Sequence, residues 1–403
     1  MNFPAKLRKL GMRFMMLDNM LVVFGYAIVF PLISAHFVLQ RGWSAGAVAA
    51  ALAIRQLIQE GCGIWSGSMA QRLGAKPMIV SGMLLRAGSF LLLALAQNLV
   101  TLMISCVLAA VGGLFFSPSR GALFVKLTRP EERSRYFAIL MMQDGVTGAA
   151  ASAIGGYLIV RSFYWVCFVG AAAYGLAAVV NHRFLPAYKT GKSTLSTSGA
   201  LSEIVRDRRF FAFVILLSGY YILGVQISML IPIELSRRTG SISQAGLAYT
   251  LRVAIVLSLT YPLAKIAGKR FSEFSRFMFG FFIMIFCMLL VPITSSGEAF
   301  IILLMIFFLG NVLADPAREA IIGNLANSSL LANYMGFSRI GLAIGGALGF
   351  LTSGVLVDLS RSHDTYWLPW VVISCIALCC WLGLLIGTGS AGFSIRRACR
   401  TSN

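Results

Sequence analysis

With 403 residues, 58% of them hydrophobic and only 12% charged, the chain has too few polar side chains to coat a soluble globule of its size. A net charge of +20 would suit nucleic acid if the basic residues gathered on one surface, but most of the 34 Lys and Arg fall in alternate connections between apolar runs. That distribution is a topology signal, and no nucleic-acid partner is expected.

Runs of about 20 apolar residues, the length that a hydrocarbon layer of ~30 Å asks of a helix, recur along the whole chain. Twelve spans are expected, near 14–38, 45–70, 77–96, 99–123, 136–159, 163–183, 210–232, 244–264, 275–293, 297–318, 334–357 and 369–388. Met1 to Arg13 followed by an apolar run imitates a signal peptide. That run reaches residue 39 without a clear small-residue cleavage site, so an uncleaved first span is expected.

The basic connections are the N-terminus (Lys6, Arg8, Lys9, Arg13), the turns around Arg72 and Lys76, Lys126 to Arg135, Arg183 to Arg209 and Lys265 to Arg276, the end of span ten at Arg318, and the tail (Arg396, Arg397, Arg400). The alternate turns hold only Arg41, Arg161, Arg237, Arg238 and Arg361. Both termini are therefore expected in the cytoplasm of a multi-pass inner-membrane protein. The one long polar connection, His182 to Arg209, contains TGKSTLSTSGALSE, a composition suited to a flexible tether. The expected division is 1–183 as an N-terminal six-helix bundle, 184–209 as a cytoplasmic linker, and 210–403 as a C-terminal six-helix bundle with a short tail.

The two halves repeat. GGLFFSPSRGALFVKL (112–127) aligns without a gap on GNVLADPAREAIIGNL (310–325) at an offset of 198, matching Gly112, Pro118, Arg120, Ala122 and Leu127 to Gly310, Pro316, Arg318, Ala320 and Leu325. The same offset sets Tyr136 on Tyr334. Duplicated six-helix halves let two similar bundles rock about a site held between them. The expected fold class is an all-α membrane protein with twelve transmembrane helices in two pseudo-twofold six-helix bundles, working as a secondary transporter.

No phosphate-cradling Gly-Lys-Ser/Thr loop is present, His36, His182 and His363 lie near span ends, and no nucleophile has an evident base, so neither an enzyme nor a cofactor is expected. The eight cysteines read as packing residues rather than disulfides or metal ligands. Uphill transport would then draw on an ion gradient.

Charges inside spans are costly in lipid and usually face a cavity or a partner. At ~1.5 Å per residue, Glu60 lies ~15 Å from the cytoplasmic end of span two, Arg86 ~14 Å into span three and Asp144 ~12 Å into span five. They share a depth, and Arg86 is expected to pair with either acid. Arg55 lies deeper, Gln56 and Glu60 line one stripe of span two, and Arg252 is the one deep charge of the second half. A structural ion pair is the plain alternative for each of these. Asp144, Glu60 and Asp18 are the proton-coupling candidates, because an acid whose partner moves during rocking can load a proton on one side and release it on the other. Asp18, Arg120, Asp315, Arg318 and Arg339 sit near helix ends, as gate residues or as snorkelling charges. Gly145, Gly148, Gly155 and Gly156 in span five, and Gly341, Gly345 and Gly349 in span eleven, are expected to let the halves pack closely and slide.

The turn GSMAQRLGAK, Gly67 to Lys76, resembles the loop signature G-x-x-x-D-R-x-G-x-K/R of the major facilitator superfamily. With LDNMLVVFGYAIVFPLI, RLGAKPMIVSGMLLRAG and YMGFSRIGLAIGGALG, the chain is similar over nearly its full length to drug:proton antiporters of that family. The resemblance implies alternating access and export of a small lipophilic substrate against protons, by a monomer in the bilayer. Proton-coupled uptake of a nutrient or metabolite, and a non-transporting membrane sensor, are the rival readings. The resemblance also makes Gly67, Gln71, Arg72, Gly74 and Lys76 a cytoplasmic gate loop, with Gly74 in a turn or helix C-cap. Gln71 departs from the family's Asp, which weakens the implied latch. Span four lacks the family's embedded Arg between residues 99 and 117, and span five lacks the Gly-Pro pair of the exporters' glycine-rich motif.

Overall fold

The computed structural model describes residues 5–63, 69, 73–128, 130–185, 204–325 and 331–389. They form twelve long helices. The first, α1 (Ala5–Val29), continues through a 3-10 turn at Phe30–Leu32, one α turn at Ile33–Ala35 and a π turn at His36–Gln40. It is followed by α2 (Ala45–Gly61), α3 (Ala75–Ala94), α4 (Leu99–Leu127), α5 (Pro130–Arg161) and α6 (Phe163–Phe184). The second set begins with α7 (Arg208–Gly224), which a 3-10 turn at Val225–Ser228 joins to a further segment, Leu230–Thr239. After a 3-10 turn at Ile242–Gly246 come α8 (Leu247–Arg270), α9 (Glu273–Leu290), α10 (Gly297–Leu325), α11 (Leu331–Ser362) and α12 (Leu368–Gly389). Among the described residues, ten stretches are long and apolar enough to cross a membrane.

Pro31 accounts for the irregular end of α1, because a proline frees the carbonyl four residues back. That carbonyl, on Ala27, accepts from the Ser152 hydroxyl of α5 at 3.0 Å, so a neighbouring helix supplies what the break removed.

The sequence repeat is visible in the packing. A Cβ placed on Gly82 of α3 would lie 2.6 Å from the Gly112 carbonyl oxygen of α4, and one on Gly280 of α9 would lie 2.5 Å from that of Gly310 of α10. Each member of the second pair follows its counterpart by 198 residues. The bundles meet along two seams, α2 against α11 and α5 against α8. At the far end, away from the start of α1 and the finish of α12, the seams bring backbone onto backbone. A Cβ on Gly354 would sit 2.6 Å from the Ala45 carbonyl oxygen, and one on Gly156 would sit 2.6 Å from that of Ser243. These two contacts are also related by 198 residues. Toward the terminal end, side chains fill the space: Tyr249 and Leu257 reach Gly148 and Gly145, and Gln56 reaches Gly346. The helices therefore diverge from the far end toward the terminal end.

The expected glycine contacts hold for α5 at positions 145, 148 and 156, whereas Gly155 packs on Ile28 of α1. For α11 the expectation is corrected. Gly341, Gly345 and Gly349 pack on Val214, Ser218 and Ile222 of α7 inside their own bundle, and Gly346 and Gly354, on another face, make the crossing contacts. Cys106, Cys167 and Cys287 are buried as expected, but Cys375 and Cys379 are exposed on α12.

Candidate functional site

One polar chain joins α1, α4 and α5. Arg120 donates to the Oδ1 of Asn19, and the Nδ2 of Asn19 donates to Asp144. Asn19 has no exposed surface, while Asp144 is half-buried. One residue earlier, Asp18 is 3% exposed and accepts from Asn181 Nδ2 of α6 at 2.6 Å. Gln143, beside Asp144, donates to the Met16 carbonyl at 2.9 Å and ties α5 to α1 again. A buried hydrogen bond to a charged group contributes about 1.5–3 kcal/mol, so this group holds α1, α4, α5 and α6 together around two carboxylates.

Arg86 does not meet Asp144 or Glu60, which corrects the expected pairing. Its Nη1 donates to the Tyr174 hydroxyl at 2.8 Å and its Nη2 to Gln59 Oε1 at 3.0 Å. Arg55 Nη1 donates to the same Gln59 oxygen at 3.0 Å, and its guanidinium lies 4.1 Å from the Phe30 ring centre. Both arginines line a small cavity with Tyr26, Phe30 and Phe90. Glu60 faces the other way. Its Oε2 pairs with Arg339 of α11 at 3.0 Å, a bond across the bundles, and its Oε1 accepts from Gln59 Nε2 at 3.0 Å. Gln56, 7% exposed, donates weakly to the Leu342 carbonyl at 3.5 Å.

In the second bundle, Asn311 donates to the Tyr220 hydroxyl at 2.7 Å, and that hydroxyl donates to Asp315 at 2.8 Å. Arg318 lies 3.5 Å from Asp315 and 2.6 Å from Glu319, with its guanidinium over Tyr220 and Tyr221. Arg252 is half-buried and makes no ion pair with a described residue. Gly67, Gln71 and Arg72 lie outside the described residues. Gly74, at φ +91°, is the N-cap of α3, and Lys76 lies in the first turn of that helix. Among the described residues, no three His, Cys, Asp or Glu side chains group as metal ligands would.

Several residues escaped the sequence reading. Asn19, Gln59, Tyr174, Asn181 and Tyr220 are neutral, and a neutral polar side chain in an apolar run looks incidental until its partners are known. Asp358 is charged, and a carboxylate near the end of a helix is ordinarily solvated. Its carboxylate instead accepts from the Ser44 hydroxyl at 2.5 Å and from the Ala45 and Gly46 amides at 2.8 Å each. A carboxylate of one bundle thus caps the N-terminus of α2 in the other.

Comparison with known proteins agrees with this architecture. The family model described as Major Facilitator Superfamily matches residues 15–349. The chain is 42% identical over 378 residues to the "Multidrug resistance protein MdtH" of Edwardsiella ictaluri, covering 94% of each chain. It is also 42% identical over 384 residues to the protein of that name from Yersinia enterocolitica, covering 95% of this chain and 96% of the relative. Among solved structures, a POT family transporter in complex with a thioalcohol-conjugated peptide superimposes with a TM-score of 0.79 at 14% identity, covering 94% of this chain and 96% of that one. A bacterial homologue of the human lysosomal transporter Spinster, inward-facing and unoccupied, does so with a TM-score of 0.74 at 15% identity, covering 99% and 98%. With its twelve helices, two repeated bundles and a full-length match to these relatives, the chain belongs to the major facilitator superfamily.

Proposed function

We propose that this protein exports lipophilic drugs or related toxic compounds across the inner membrane in exchange for protons, by alternating access between residues 1–183 and 210–403. The observation that carries the export reading is the 42% identity to multidrug resistance proteins over at least 94% of both chains. The alternate placing of basic connections sets the terminal end in the cytoplasm. The far end, where backbones touch and Asp358 caps α2, then faces the periplasm and is closed in this state.

Asp144 carries the coupling step. It is half-buried on α5, whose glycine face forms one seam, and Arg120 reaches it only through Asn19. When the seam moves, a single neutral link is enough to change how closely the guanidinium and carboxylate communicate. Glu60, committed to Arg339 of the other bundle, holds the cytoplasmic part of the other seam. Asp144→Asn is expected to abolish uphill, gradient-driven export in inverted vesicles while substrate binding persists. Glu60→Gln is expected to slow transport without uncoupling it. Parental gradient-driven transport by Asp144→Asn would remove Asp144 from the mechanism.

A further inference from the structure

The cavity between α1, α2, α3 and α4 holds two guanidinium groups and no carboxylate. Arg55 is 5% exposed, and the Nε atoms of both Arg55 and Arg86 are buried without a hydrogen-bond partner. Among the described residues neither arginine has an ion pair. Glu60 touches the group only through the amide of Gln59 and is already paired with Arg339. Gln59 thus orients both arginines through one carbonyl oxygen without neutralising either. Leaving one buried and one half-buried cation without a carboxylate is costly, and inside a membrane such charges persist where a ligand or a water-filled path supplies what the protein does not. A planar guanidinium matches a carboxylate in shape and donor spacing. Phe30 and Phe90 add aromatic walls beside the two charges.

We propose that Arg55 and Arg86 bind the carboxylate of an aromatic substrate, whose ring lies against Phe30 and Phe90. In this state the cavity has room for water-sized groups only, about 20 Å³, and does not admit the ring. The ring enters when α1 or α4 shifts as the bundles rock. The proposal rests on the export reading only for the statement that this ligand is cargo.

Binding is measured on the purified full chain in nanodiscs without a gradient, by calorimetry, with 2-naphthoate, its uncharged analogue 2-naphthamide, and chloride. The expected result is that 2-naphthoate binds at least ten-fold more tightly than 2-naphthamide. Arg55→Gln and Arg86→Gln should each reduce the affinity for 2-naphthoate ten-fold or more and erase that preference. Ala109→Leu, which fills the cavity and leaves both charges in place, should block 2-naphthoate as well, and it carries the test if either arginine variant fails to fold. Equal affinity of the two naphthyl probes, or parental 2-naphthoate binding by the folded variants, overturns the proposal. So does binding of chloride alone, which makes this a site for a small inorganic anion. Intact 2-naphthoate binding in a protein that exports no drug overturns the export reading and leaves the carboxylate site standing.

Discussion

Asp358 illustrates how a single carboxylate can set a conformational preference. The first turn of a helix presents amides with no partner inside the helix and a partial positive charge, and the Asp358 oxygens take two of those amides and a hydroxyl together. Because donor and acceptor belong to different bundles, the bonds exist only while the far end is closed. Asp358→Ala is expected to weaken closure by about 2 kcal/mol, roughly a thirty-fold shift toward the state open at the far end. Labelling of a cysteine placed at Leu39 by an impermeant maleimide would report the shift, and unchanged labelling would leave packing alone responsible. At this scale the formal charges inside spans were legible, since their cost in lipid marks them. Their partners were not: Arg86 turned to Tyr174 and Gln59, and Glu60 turned to Arg339. A depth along a helix fixes height but leaves rotation about the axis free.

That free rotation also limited the reading of the helices. Glycines four apart predict a face that another helix can approach, but they do not say which helix. On α11 the 341, 345 and 349 face went to α7, and a second face took the seam. The pairs Gly82 with Gly112 and Gly280 with Gly310 invite a matched experiment, because each added Cβ would meet a carbonyl oxygen at 2.6 or 2.5 Å. Gly82→Val and Gly280→Val are expected to destabilise their own bundles by similar amounts, about 1–3 kcal/mol each, seen as similar falls in unfolding temperature. A large disparity would show that the repeat in sequence does not extend to equivalent packing. Gly354→Leu acts differently. Its side chain would occupy the backbone contact with Ala45, so the variant should stand open at the far end, label readily there and transport poorly while remaining folded.

For the whole molecule, twelve apolar runs, the alternating basic turns and the 198-residue offset carried most of the architecture. The signal was strong because lipid demands both length and apolarity of every span. Reporters fused after Asn403 and inserted near Ser196 are both expected to be cytoplasmic, and an active alkaline phosphatase at either position would reverse the assigned orientation. The inequality between the seams was not visible at that level. The contacts of Gly354 with Ala45 and of Gly156 with Ser243 are copies of one another by duplication, but only the first has an acid beside it. Position 160, which lies 198 residues before Asp358, is Val160. Duplication alone would make two equal hinges, and a symmetric machine would open both at once. Here one hinge is fastened by charge, while across the other the Thr250 hydroxyl makes only a long bond of 3.5 Å to the Ala149 carbonyl, so the far end should peel: α5 parts from α8 first, and α2 stays attached to α11 until the bonds to Asp358 break. Release on that side then acquires a direction, with the first opening beside α5, the helix that carries Asp144.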